Sequence, residues 1–450
     1  MPVEFIYLFT LLIVIGIVFA VLKRPIYEAM LIGFIVLLIV TKQYSNALQY
    51  VKGAATNSLL YAIIAFLALA QLLTDTKVID SCIEVILSVF GRIKGGTGYV
   101  ALLASSFMGA LSGSAAGNVA ATGVFTIPAM KKTGFPPHLA ANIVMAASTI
   151  GNMIPPAGVI AVSFGVLEIL YPDQYSMSKF WILMWGISIW FILQRAITIY
   201  FFCRFYKIGY MEASQIPDFK TAVKKGWKGL LIPIVIFLPF FLDSQLKDTL
   251  FTSRLAEGAK YISSCTLLFT PGLAALITML LVRKNYNIKL SSISNLFTNS
   301  LKSIVPVSAT IFFSYCISNL LVDLDIGGTI GQHIMDLNLN LWVLALFLPL
   351  FTAILGMILP GSSQVAIFGT AIIAVMANLG VNPFLVAGML PVITGAMEGM
   401  TPPLALCMYT AMGIAESGMK ETTINCLIWV ALHYLLSVIM LTGILPVIGL

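Results

Sequence analysis

The sequence predicts an all-α polytopic membrane protein with about ten crossings and two re-entrant helical hairpins, built as two inverted copies. Three observations predict it. Hydrophobic residues fill 59% of the 450 positions and charged residues 10%, with a mean hydropathy of +0.99; a soluble domain is closer to half apolar and a quarter charged. Lys and Arg are placed so that two apolar stretches must enter and leave by the same face. A Gly/Ser/Pro pattern recurs roughly 247 residues further along the chain. Soluble enzymes, nucleic-acid binders and secreted disulfide scaffolds are excluded. The net charge of +7 belongs to cytoplasmic loops.

Taken in order, apolar runs predict crossings at 3–22, 26–41, 57–74, 138–170, 179–203, 229–243, 262–282, 303–321, 384–415 and 423–447. The opening Met-Pro-Val-Glu lacks a cationic signal region, so the first run is expected to be retained. The densest basic segment, Arg204 to Lys228, is expected inside. Counting back from it places Lys131 and Lys132 inside, and counting forward from Lys23 and Arg24 places Arg92 and Lys94 inside too. The stretch 97–130 between them is then a hairpin, and 342–379 is its counterpart from the other face. Of the 25 Lys and Arg, 18 fall inside, 6 outside and Arg195 within a span. Both termini are expected outside.

The repeat has three parts in each copy. Met108 to Ser114 corresponds to Leu355 to Ser362, a Pro-marked turn ends at Pro137 and at Pro383, and Gly151 to Pro156 corresponds to Glu398 to Pro403. Backbone at membrane depth survives unpaired only inside protein or beside a polar cavity. A tip such as Ser112 to Asn118 presents a helix carbonyl end, which attracts cations, beside an amide end, which attracts anions. Prolines free the carbonyls upstream of each break. Two cation sites are expected, each pairing a tip with a broken helix. One comprises Ser112, Gly113, Ser114, Thr149, Gly151 and Asn152; the other comprises Gly361, Ser362, Ser363, Thr394, Gly395, Glu398 and Thr401. A substrate pocket is expected between the tips, touching Ser114, Asn118 and Ser362.

Glu398 is an ionisable group at membrane depth, open to reading as a sodium ligand, a proton-coupling group or a structural carboxyl. Arg195 is expected to snorkel to the inner surface. His138, His333 and His433 are expected in a turn, a loop and the lipid interface, and the six cysteines (82, 203, 265, 316, 407, 426) as buried reduced thiols. No nucleotide-binding loop, zinc-protease motif or nucleophile elbow occurs. The expectation is a secondary active transporter, not an enzyme, with no cofactor.

Particular runs resemble the large membrane subunit of tripartite ATP-independent periplasmic (TRAP) transporters. These are Lys23-Arg24-Pro25-Ile26, Ile93-Lys94-Gly95-Gly96, Ser112-Gly113-Ser114-Ala115, Ile127 to Phe135, Ile154-Pro155-Pro156, Leu355-Gly356-Met357 and Thr401 to Leu406. The resemblance implies a sodium-coupled elevator in a bacterial or archaeal cytoplasmic (inner) membrane. Its partners would be a small four-helix membrane subunit, an extracytoplasmic binding protein that delivers a small organic acid, and the lipid bilayer, but no nucleic acid. It implies that Ser112, Gly113, Ser114, Gly151 and Asn152 hold one sodium ion, and Gly361, Ser362, Gly395 and Thr401 another. Scaffold helices would then occupy 1–96 and 229–341, transport halves 97–170 and 342–416, a connecting helix and basic loop 171–228, and a last helix 417–450. A stand-alone transporter or cation antiporter of the same architecture, without a binding protein, is the alternative.

Overall fold

The computed structural model describes residues 3–76, 78–112, 115–213, 216–246, 250–255, 258–282, 290–326, 329, 336, 340–356, 360–400 and 405–450. Among these residues the ordered elements are all helical. The expected residues Gly113, Ser114, Thr401 and His333 lie outside them.

The outer helices come from both halves of the chain: α1 (Val3–Gly16), α2 (Ile26–Val40), α3 (Ala47–Thr56), α4 (Ser58–Asp75) and α5 (Val78–Phe90) in the first. The chain then forms a helical pair, α6 (Gly96–Ser112) and α7 (Ala115–Lys132), and a broken helix, α8 (Pro137–Ile150) and α9 (Gly158–Leu170). The long α10 (Met177–Phe205) closes the first copy. The second copy's outer helices are α11 (Phe219–Leu246), the short α12 (Thr252–Leu255), α13 (Ala259–Val282) and α14 (Leu290–Asp323). Then come the paired arms α15 (Leu341–Leu355) and α16 (Gly361–Asn378), the broken helix α17 (Pro383–Ile393), α18 (Gly395–Glu398) and α19 (Leu406–Ala415), and finally α20 (Met419–Leu441).

Corresponding elements keep their spacing. α8 begins at Pro137 and α17 at Pro383, an offset of 246. Contacts repeat with it: Ser106 Oγ donates to Ala147 O at 3.4 Å, and Thr352 Oγ1, 246 residues later, donates to Ile393 O at 2.8 Å. The first halves of the two broken helices are apolar on every side. Leu139 to Ile150 of α8 and Phe384 to Ile393 of α17 are buried without interruption, as a helix without a polar face must be.

The two broken helices run in opposite directions. Asn152 meets Gly395 at the breaks, whereas Ser163, further along the first helix, donates to Ala387 O at 2.6 Å, earlier in the second. Accordingly α9 packs on α17 and α16, and α19 packs on α8 and α7. Each copy's far half-helix therefore lies against the other copy's hairpin, and the repeats are inverted and interlocked.

Several basic segments converge at one end of the molecule. Gly95 N–H donates to Gly209 O, Gly209 N–H donates to Thr133 O, and Lys131 Nζ reaches the terminal carbonyl of α19 at Ala415, 3.0 Å away. The residues around Lys94, Lys131 and Lys207 thus share a face, as the charge pattern requires.

Some expectations need correction. Helix α5 was not among the expected elements, because Asp80 and Glu84 interrupt its apolar residues; it packs an apolar stripe on α6 and α11 while Glu84 pairs with Lys225 at 2.9 Å. The segment up to Lys228 is not all loop: α11 already starts at Phe219 and carries Lys220, Lys224, Lys225 and Lys228 in its first turns. α14 begins at Leu290 rather than 303. Cys203, Cys316, Cys407 and Cys426 are buried free thiols, but Cys265 is exposed, because α13 turns that side outward. Five described helical stretches are long and apolar enough to cross a bilayer alone, and seven shorter apolar ones of 10–17 residues accompany them.

Candidate functional site

The two breaks meet at the centre of the protein, and a hairpin arm covers each one. Gly151 opens a single 3-10 turn, Gly151–Met153, after which the chain is extended at Ile154. Its Cα is so near Gly109 of α6 that a Cβ on Gly151 would stand 2.3 Å from the Gly109 Cα. In the other copy a Cβ on Gly361 would stand 2.3 Å from the Gly395 Cα. Only hydrogen side chains allow these approaches. In each copy a hairpin arm thus lies against the break, and Asn152 Nδ2 joins the two breaks by donating to Gly395 O at 2.6 Å.

Buried polar atoms gather around these contacts. Asn118 is fully buried and its Nδ2 donates to Ser105 O at 2.6 Å, so its amide is turned into the hairpin rather than toward the other tip. Its Oδ1, together with Ser148 Oγ and Ser363 Oγ, is buried without a hydrogen-bond partner among the described residues. Orphaned oxygens of this kind cost free energy unless a ligand, water or ion completes them. Ser148 was missed in the sequence. The clue available there was its place immediately before Thr149 in a run ending at the break. The Thr149 and Thr394 hydroxyls bond back to Ala146 O and Leu390 O within their own helices, so their contribution would be through carbonyls. Ser112 closes α6, and Ser362 is half-buried in the first turn of α16.

Glu398 ends α18, and its Oε2 accepts the backbone N–H of Gly361, the first residue of α16. A carboxylate suits the amide end of a helix. Aligned on the Pro-Pro pairs, Glu398 corresponds to Gly151 of the first copy, so the second break carries an acidic side chain where the first has none.

Arg195 does not snorkel. It is 1% exposed and donates through Nε to Ala146 O at 2.7 Å, held inside because α10 turns that face onto α8. His433 is not at the lipid interface: it is 0% exposed, 3.2 Å from the Arg195 guanidinium, with Nε2 2.9 Å from Val392 O. Hydropathy cannot reveal this, since a charged residue within a span reads the same whichever way it faces. His138 sits in the first turn of α8, just after the chain reversal at 133–136, near Tyr206 and Glu421.

A cavity of about 180 Å³ beside the first break is lined by Leu103 and Phe107 of α6, Pro155 and Pro156 of the break, and Trp181 and Trp185 of α10. Its one hydroxyl, from Ser106, is turned toward Ala147 O.

Inverted repeats with broken helices and helical hairpins define a membrane transporter of the secondary type. Residues 12–447 match the family described as the tripartite ATP-independent periplasmic transporter, DctM component. The chain belongs to that family, as its large membrane permease component. It is 24% identical, over 82% of this chain and 81% of the relative, to the C4-dicarboxylate TRAP transporter large permease protein DctM of Pseudomonas aeruginosa. It is 22% identical, over 82% and 81%, to the sialic acid TRAP transporter large permease protein SiaM of Vibrio cholerae. Among solved structures, Neisseria gonorrhoeae MtrF, described within a class of antimetabolite efflux pumps, superposes with a TM-score of 0.64 at 13% identity, over 89% of this chain and 83% of that one. This last likeness concerns the fold.

Proposed function

We propose that this permease takes up a small organic acid by sodium coupling, with an extracytoplasmic binding protein delivering the acid and a small membrane subunit completing the assembly. The hairpins and broken helices move as one body against the outer helices, and the basic end faces the cytoplasm. The observation that carries the reading is the junction of two antiparallel broken helices at Asn152 and Gly395, each break covered by a hairpin arm. Carbonyl ends and orphaned oxygens there suit a hard monovalent cation, and the amide ends suit a carboxylate. Relatives named for C4-dicarboxylate and for sialic acid handle carboxylic acids, and the family description supplies the tripartite assembly and the independence from ATP.

The candidate sites are Ser112, Gly113, Ser114, Thr149, Gly151 and Asn152 for one cation, and Gly361, Ser362, Ser363, Thr394, Gly395, Glu398 and Thr401 for the other, with Ser114 and Ser362 toward the substrate and Asn118 bracing the first hairpin behind them. The test is uptake of labelled dicarboxylates and sialic acid into proteoliposomes holding the permease, its small subunit and its binding protein. An inward sodium gradient should drive accumulation, and Ser362→Ala should weaken the sodium dependence without loss of protein. Equal uptake without sodium, or without the binding protein, would overturn the corresponding part.

A further inference from the structure

A guanidinium buried at membrane depth needs compensation, and among the described residues the partners of Arg195 are all neutral. Nε donates to Ala146 O of α8, Nη1 donates to Gln194 Oε1 at 3.0 Å, and Nη2 lies 3.2 Å from His433 Nδ1. Arginine only donates, so His433 Nδ1 accepts, and Nε2–H is left to donate to Val392 O of α17. The imidazole is therefore neutral and relays the arginine to the second repeat. Each carbonyl lies in the closing turns of a broken helix, just before its break. A helix C-terminus carries roughly half a negative charge; one such end meets the guanidinium directly and the other reaches it through the imidazole.

We infer that Arg195 and His433 are a positioning pair that fixes both breaks in one register, so that occupation of one candidate cation site is felt at the other. The inference rests on the proposed function for its cation sites, but not for the pair itself. The symmetry is specific: α10 and α20 are equivalent helices, and each sends a donor to the broken helix of its own copy while the two donors hold each other. The fixed fork of arginine reaches a carbonyl and an imidazole together, which a lysine ammonium on a single stem does not.

Two measurements on the assembled transporter test the inference. In hydrogen exchange, Arg195→Gln should raise exchange about tenfold, as for one lost buried hydrogen bond, over both 146–153 and 390–399. His433→Leu should raise it over 390–399, and His433→Gln, which keeps a donor and an acceptor, should stay near wild type. In uptake, Arg195→Gln should lower the Hill slope for sodium toward one, and Arg195→Lys should restore it only partly. Exchange raised at the first break alone, or at neither, overturns the pair; so does an unchanged slope in Arg195→Gln. If Arg195→Gln does not accumulate, the His433 variants carry the same test: equal exchange in His433→Leu and wild type overturns it. Wild-type uptake indifferent to sodium would instead sink the proposed function and leave the exchange comparison to decide the pair.

Discussion

The hydroxyls of Thr97 and Thr133 lie 2.8 Å apart, although 36 positions separate them in the chain. Ser105 and Thr122 form a second rung, also at 2.8 Å, and Asn118 bonds Ser105 O beyond it. The numbers rise on one arm as they fall on the other, so α6 and α7 are antiparallel and the chain returns to the level where it started. Rungs of hydroxyls pair polar groups that would otherwise face hydrocarbon.

This return is directly testable. With Cys203 replaced by Ser, because its sulfur lies against Gly95, the double variant Thr97→Cys, Thr133→Cys should form an intramolecular disulfide under mild oxidation. Single cysteines at the exposed neighbours Lys94 and Lys132 should also react with an impermeant reagent from the same side of sealed vesicles. Reaction from opposite sides would show that the segment crosses.

Asn152 is the link between the breaks. Asn152→Ala leaves the buried Gly395 carbonyl without its donor, at a cost of about 1–3 kcal/mol, and uptake should fall about tenfold or more while the amount of protein holds. Asn152→Asp sets an acceptor against that carbonyl and should be worse. An alanine variant with wild-type uptake would remove the link from the mechanism.

Glycine is required at the breaks but not throughout. Gly151→Ala drives a Cβ into the Gly109 backbone, and overpacking of this kind costs about 1–3 kcal/mol or more. Its melting temperature in detergent should drop clearly. Gly272→Ala in α13 meets nothing within 4 Å and should leave the protein unchanged or slightly more stable.

Asp218 caps α11 from outside the membrane-spanning segments. Its carboxylate accepts from Thr221 N–H and Thr221 Oγ1, both at 3.0 Å, and these bonds hold it below the usual aspartate range. A lowered folded value means stabilisation that is complete above the unfolded value and is lost as pH falls through the folded one. The melting difference between wild type and Asp218→Asn should therefore be widest near neutral pH and close in acid. A difference that grows in acid would contradict the cap.

The sequence by itself determined the membrane class, the inverted repeat and the two hairpins. Those follow from hydropathy, from the recurrence of one local pattern at Pro137 and at Pro383, and from which loops carry lysine and arginine, and each can be read along the chain without knowing which segments touch. The neighbourhoods of Gly151 and Gly361 were legible for the same reason, since glycines and prolines mark broken backbone wherever they stand. What only the tertiary structure decided is direction and partnership. Hydropathy registers that Arg195 and His433 lie within apolar helices but not which way they point, and their meeting depends on α10 and α20 packing across the interlocked repeats. The same holds for the bond from Asn152 to Gly395 and the orphaned oxygen of Ser148: both arise where segments more than 240 residues apart, or separated by a turn of chain, are pressed together by the burial of α8 and α17 on every side.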